Sequence, residues 1–189
     1  MKALQHFITI TKHRHAVIRN CKKAGILWQG LFHDLSKYTP AEFFLGAKYY
    51  QGDKSPNVGE RADKGYSEAW MHHKGRNKHH YEYWTDIRPG KNDYEAVPMP
   101  TKYMVESVLD RIAACKTYHG AAYKDGDSLA YLLKVPERLH MHPDTLRELI
   151  FLLTLLKDHG EKAMYRFIRQ VVLKDVPFEQ WEERKSKLL

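Results

Sequence analysis

Apolar side chains recur at helical spacing at both ends of the chain. Ile10, His13, Val17 and Cys21 lie three or four positions apart and mark one face of a helix over about residues 3–23. His15 falls instead with Thr11, Arg19 and Lys22 on a wetter side. Gly25 interrupts, and a second helix is expected over about residues 26–38. Thr39-Pro40-Ala41-Glu42 then reads as the start of a third, reaching about residue 50, with Thr39 as N-cap, Pro40 in the first position and Glu42 closing a capping box. Residues 51–65, rich in Gly, Asp, Lys, Ser and Pro, read as an exposed loop. Ser67 caps a short helix through Trp70 and His73. The stretch 85–100 holds Pro89, Gly90, Pro98 and Pro100 and reads as a long connection, a lid or site wall with room for a short hairpin. Helices follow over about residues 101–119, 128–134, 143–159, 161–173 and 177–187, with Gly120 and Gly160 as stops. The fourth-last of these is short; the one over 143–159 is apolar on nearly all sides around Leu149 to Leu156 and should be buried. No repeat interrupts the pattern, which predicts a single all-α domain over residues 1–189.

Several polar residues sit against this apolar background. His33 and Asp34 lie between Leu31-Phe32 and Leu35. Burying a carboxylate there is costly without compensation, and a divalent metal ion compensates both side chains because both are ligands. In a helix the two would project about 100° apart, so other helices must close the shell. His13 is the candidate from the first helix, the alternative being a core histidine bonded to backbone. Asp110, among Val108, Leu109, Ile112, Ala113 and Ala114, also asks for a partner. Its alternative is a wet side shared with Glu106, Ser107 and Thr117. The densest chemistry is His72, His73, His79 and His80 interleaved with Lys74, Arg76 and Lys78. Imidazoles ligate transition metals, and the cations would draw a phosphate to the same place. A solvated basic loop is the alternative. His119, His140, His142 and His159 fall near helix ends, where the dipole or capping accounts for them.

Composition narrows the partners. Lys plus Arg number 31 against 23 Asp plus Glu, a formal charge of +8 that favours anions. The charge forms no long basic run, so a nucleic-acid stripe is not favoured. Cys21 and Cys115 make neither a disulfide framework nor a Cys-x-x-Cys pair, which suits a reducing, cytoplasmic setting. The first residues lack an apolar signal core. The longest apolar run is far shorter than the roughly 20 residues a membrane span needs. A soluble protein with no membrane partner is expected.

The order His13, His33-Asp34 and Asp110, with Lys37 completing His-Asp-x-x-Lys, resembles the HD-domain superfamily of metal-dependent phosphohydrolases over about residues 10–115. The patterns Thr11-Lys12-His13-Arg14, Leu31 through Phe43, and His73 through Asn77 with His79, His80 and Glu82 look like a small uncharacterised HD-like family. The resemblance implies a helical bundle with the helices of 128–187 packed on a metal-site core. It implies that His13, His33, Asp34 and Asp110 hold one divalent transition metal ion (Mn, Fe, Co, Ni or Zn). His73 with His79 or His80 would hold a second, bridged by Asp34. These histidines are only six or seven positions apart, whereas binuclear members draw theirs from well-separated helices, and which of each adjacent pair points inward stays open. The implied activity is hydrolysis of a small phosphorylated substrate, a nucleotide among the candidates. Asp34 would orient the attacking water, Lys37, Lys74, Arg76 and Lys78 would neutralise phosphate charge, and His72 or His80 would protonate the leaving oxygen. Two other classes share these features: a di-iron oxygenase on the same ligand types, and a nucleic-acid-binding or regulatory module using the basic, Tyr- and Trp-bearing loop.

Overall fold

Helical periodicity carries through to the architecture. The structure, a computed structural model, describes residues 1–90, 92–134 and 140–189. Its helices are α1 (Lys2–Ala24), α2 (Leu27–Phe32), α3 (Pro40–Lys48), α4 (Pro56–Lys64), α5 (Glu68–Lys74), α6 (Thr101–His119), α7 (Asp127–Lys134), α8 (Pro143–Gln170) and α9 (Trp181–Leu188). The molecule is an all-α bundle. Its sheet content among the described residues is one antiparallel hairpin, β1 (Thr85–Ile87) on β2 (Tyr94–Ala96), with Thr85 opposite Ala96. That hairpin lies within the long connection, where the sequence left room for it.

The core forms where α6 and α8 meet. Met104, Leu109 and Ile112 of α6 pack with Leu149, Leu152, Leu156, Met164 and Phe167 of α8, all fully buried. α1 lies against both through Val17, Cys21 and Ala24. Asn20 pins it there: its Nδ2 donates to the Leu109 carbonyl at 3.1 Å, and its Oδ1 accepts from the Tyr165 hydroxyl at 2.9 Å. Gly160, at φ 77° and ψ 174°, breaks α8 as its place in the sequence predicts.

Three local expectations are overturned. The second helix does not run to Tyr38. It stops at Phe32; His33 is extended (φ −56°, ψ 129°) and Asp34 is left-handed (φ 53°, ψ 27°), followed by a 3-10 turn over Leu35–Tyr38. The pair therefore occupies a corner rather than a helix face, and the 100° argument does not apply. An aspartate tolerates this conformation better than most side chains, and both side chains find partners across the bundle that a helix would deny them. Second, Thr39 and Glu42 form no capping box. Thr39 Oγ1 donates to the Ser36 carbonyl at 2.6 Å, while the Glu42 carboxylate turns inward to histidines. Third, residues 51–65 are not a loop throughout, because they contain α4. Ser55 Oγ accepts from the Asn57 amide at 3.4 Å, Pro56 follows at the start, and Gly65 ends the helix at φ 81°. Its buried Glu60 accepts from Ser67 Oγ at 2.7 Å and from the Glu68 amide at 3.2 Å, so bonds to the start of the next helix override weak local propensity.

Candidate metal centre

The corner at Asp34 is where four segments converge. α1 brings His13 and α6 brings Asp110, each from its buried side, while His15 stays exposed. α5 ends with His73 facing the same point. Beyond it the chain doubles back, the Asn77 amide bonding the His73 carbonyl and the His80 amide bonding the Asn77 carbonyl, each at 3.1 Å. This reversal returns His79 and His80 to His73 and explains how such closely spaced histidines share one centre. Asn77 Nδ2 locks the turn by donating to Ser36 Oγ at 2.9 Å and to the His73 carbonyl at 2.8 Å.

Among the described residues three donor sets result: two joined at the Asp34 carboxylate, and a smaller one of His33, His79 and Glu106 on the far side of the rings. His13, His33, Asp34 and Asp110 place one ligand atom each within 4.8 Å of one another, and so do Asp34, His73, His79 and His80. On the first side, Asp34 Oδ2 lies 3.3 Å from His33 Nε2 and 3.9 Å from His13 Nε2. On the second, Asp34 Oδ1 lies 3.2 Å from His73 Nε2 and 3.4 Å from His79 Nε2. The Nε2 atoms of His33, His73, His79 and His80 and Asp34 Oδ1 are buried without a hydrogen-bond partner, while His13 Nε2 lies 2.9 Å from Asp110 Oδ1 and Asp34 Oδ2 lies against Lys37. Five converging orphan atoms are a costly arrangement for a bare core. They fit a pair of divalent ions, each offered imidazole nitrogens and carboxylate oxygens, the donors preferred by Mn, Fe, Co, Ni or Zn.

Two glutamates support this arrangement from behind. Glu106 Oε1 lies 2.9 Å from His33 Nδ1 and 3.2 Å from His79 Nδ1. Glu42 Oε2 accepts from His73 Nδ1 at 2.8 Å, and its Oε1 faces His72 Nδ1 at 2.6 Å. Carboxylates in this position fix the tautomer and raise the basicity of ligating imidazoles. Neither was singled out from sequence. Glu42 was absorbed by the capping reading, and Glu106 by the wet side of α6, although it and Ser107 are buried. The four-residue step from Glu106 to Asp110 was the available signal.

Electrostatics agree with ionised carboxylates and divide the imidazoles around them. Burial raises Asp34, but His33, Lys37 and His73 outweigh it and hold the carboxyl well below its ordinary range. Asp110 is likewise driven well down, against burial, by His13 and His33. Burial holds His13 below its usual value, and burial with the neighbouring His79 and His73 holds His80 well below. His33 and His73 go the other way: burial opposes protonation of both, but Asp34, Asp110 and Glu106 raise His33 well above its ordinary value, and Asp34 and Glu42 raise His73. The Lys37 ammonium lies 2.6 Å from Asp34 Oδ2 with its side chain 31% exposed, facing both the carboxylate and solvent.

Other expected residues fall around this centre. His72 stands outside both donor sets, its side chain 24% exposed. Arg76 and Lys78 line a cleft of about 320 Å³ with Lys102, Trp28, Phe32 and Tyr103, and His79 and Glu106 form part of its wall. Lys102, Trp28 and Tyr103 were not anticipated. Lys74 is half-buried at the end of α5 and does not line this cleft.

Residues 2–155 match the sequence model of a family described as a family of unknown function (DUF5662), and the chain belongs to that family. No curated protein and no solved structure matches the chain.

Proposed function

We propose that this member of a family of unknown function is a metal-dependent phosphohydrolase acting on a small phosphorylated substrate. The observation that carries the reading is the pair of buried donor sets sharing Asp34. The likeness to the HD-domain superfamily supports it, since the four residues matched to that pattern meet on one side of the pair. Divalent ions held there would lower the pKa of a coordinated water and polarise a phosphoryl oxygen. Asp34 and Asp110 supply negative charge to hold such ions, and the Asp34 oxygens orient a water between the two sets. Lys37, at the edge of the centre, neutralises charge that develops on the phosphoryl oxygens. His72, backed by Glu42, carries the proton to the leaving oxygen.

The adjoining cleft suits a phosphorylated molecule with a planar part. Arg76, Lys78 and Lys102 attract the anion, while Trp28, Phe32 and Tyr103 offer apolar walls, so a nucleotide is among the candidates. Among the described residues no helix is long and apolar enough to cross a membrane, and both cysteines are free and buried. These features suit a cytoplasmic enzyme.

The test is metal analysis of chelator-free protein, followed by a screen of phosphomonoesters and nucleotides with manganese, cobalt, nickel, magnesium and zinc. We expect phosphate release. Lys37→Ala should lower kcat by on the order of a hundredfold at unchanged metal content, and Arg76→Ala should chiefly raise KM. No phosphate release from any substrate, with oxygen consumed by an iron-loaded form, would replace the hydrolase with an oxygenase on the same ligands. Steeply salt-dependent nucleic-acid binding without turnover would replace it with a binding module.

A further inference from the structure

Glu106 stands one helical turn before Asp110 on α6, on the same side of the helix. Asp34 and Asp110 also reach histidines of both sets that share Asp34, but at Nε2; Glu106 reaches both at Nδ1, the far side of the rings. Its Oε1 lies 2.9 Å from His33 Nδ1, a member of the first set, and 3.2 Å from His79 Nδ1, a member of the second. The two rings are stacked at a 37° tilt with centroids 4.4 Å apart, so one oxygen reaches both. An ionised carboxylate only accepts. Both Nδ1 atoms therefore donate to it, so that with an ion bound each ring presents its lone pair on Nε2, the atom aimed at Asp34. Glu42 is the contrasting case: it reaches His73 of the second set, and its other oxygen goes to His72, which belongs to neither.

We infer that Glu106 is a positioning residue shared between the two ion sites. It sets the tautomer and aim of one ligand in each set at once, so the two ions bind as a linked pair rather than independently. This inference rests on the two-ion reading above. Asp34 joins the sets from the front, through the ions; Glu106 joins them from behind, through the imidazoles. Ordering either ring for one ion holds the shared oxygen in place for the other.

Metal-free full-length protein titrated with zinc, followed by calorimetry and elemental analysis after gel filtration, tests this. Wild-type protein should retain two ions per chain. Glu106→Gln should weaken both by about ten- to a hundredfold, whereas Glu42→Gln should weaken one and leave the other. Long-range ¹H–¹⁵N spectra of the zinc-loaded wild type should show His33 and His79 protonated at Nδ1, and Glu106→Gln should lose that uniformity. Wild type with two ions and Glu106→Gln losing only one overturns the shared role and leaves the two-ion reading standing. Wild type that retains one ion or none overturns the two-ion reading itself. If Glu106→Gln does not fold, the wild-type spectrum decides alone, because either ring protonated at Nε2 refutes the assignment.

Discussion

A single backbone angle at Asp34 lets one side chain serve two purposes. With φ at 53° the residue occupies a left-handed conformation that costs most L-residues roughly 1–2 kcal/mol and is tolerated by Asp and Asn. That corner swings both carboxylate oxygens inward, one to each donor set. Asparagine keeps the conformational preference and removes the charge. Asp34→Asn should therefore keep the fold and lose its metal, read by elemental analysis. Asp34→Ala should lose the metal and also about 1 kcal/mol of stability in a denaturant titration. A fully metal-loaded Asp34→Asn would show that the carboxylate is not the shared ligand. At this scale much of the centre was legible. His13 was separable from His15 by helix phase, and His33, Asp34 and Asp110 stood out as polar residues in apolar company. Glu42 and Glu106 were not, because each has a plausible local explanation in sequence and acquires its meaning from partners dozens of residues away: His72 and His73 for Glu42, His33 and His79 for Glu106.

Between α1 and α2 the spacing is set by Gly30. A Cβ built there would stand 2.7 Å from Cys21 Cβ and 3.1 Å from Ile18 Cα, the latter being backbone that cannot swing aside. The contact fixes where α2 ends and thus where His33 meets His13. Gly30→Ala should force the helices apart, destabilising the fold by roughly 1–3 kcal/mol and lowering metal content with every ligand still present. A denaturation midpoint and a metal assay check this together; unchanged values in both would mean the contact relaxes without moving the corner. Element by element, the long periodic helices could be read from spacing alone. The failures have two physical forms. α2 ends early because His33 and Asp34 gain more from partners on α1, α5 and α6 than from continuing a helix. α4 forms despite its Gly-, Pro- and Asp-rich sequence because Glu60 is bonded across the chain to the start of α5. The Ser55-Pro56 start and the Gly65 stop were present in the sequence, and composition obscured them.

For the molecule as a whole, ions held in the centre as proposed would tie folding to metal supply. An ion that binds only the folded chain adds about 2.7 kcal/mol at a hundredfold excess over its Kd. In a chain of this size that raises the melting temperature by roughly 5–11 °C. Thermal unfolding in excess zinc and after EDTA should differ by that much, and superimposable curves would show that no ion is bound in the centre. The all-α class was visible in the periodicity, but which helices meet was not. Nothing in the spacing of α1 says that it packs on both α6 and α8.

That packing has a consequence for the order in which the chain is made. Asn20 ties α1 to Leu109 and to Tyr165, and Lys23 of the same helix pairs with Glu161. Every donor of the centre has been synthesised once residue 110 is in place. The helix that presents His13 is held in part by Tyr165 and Glu161, made some fifty positions later. While a ribosome is still adding those residues, the newborn chain carries its complete set of ligands without the brace that aims the first of them. On the metal reading proposed above, capture during synthesis would therefore be secured only by the second half of α8 rather than by the last ligand.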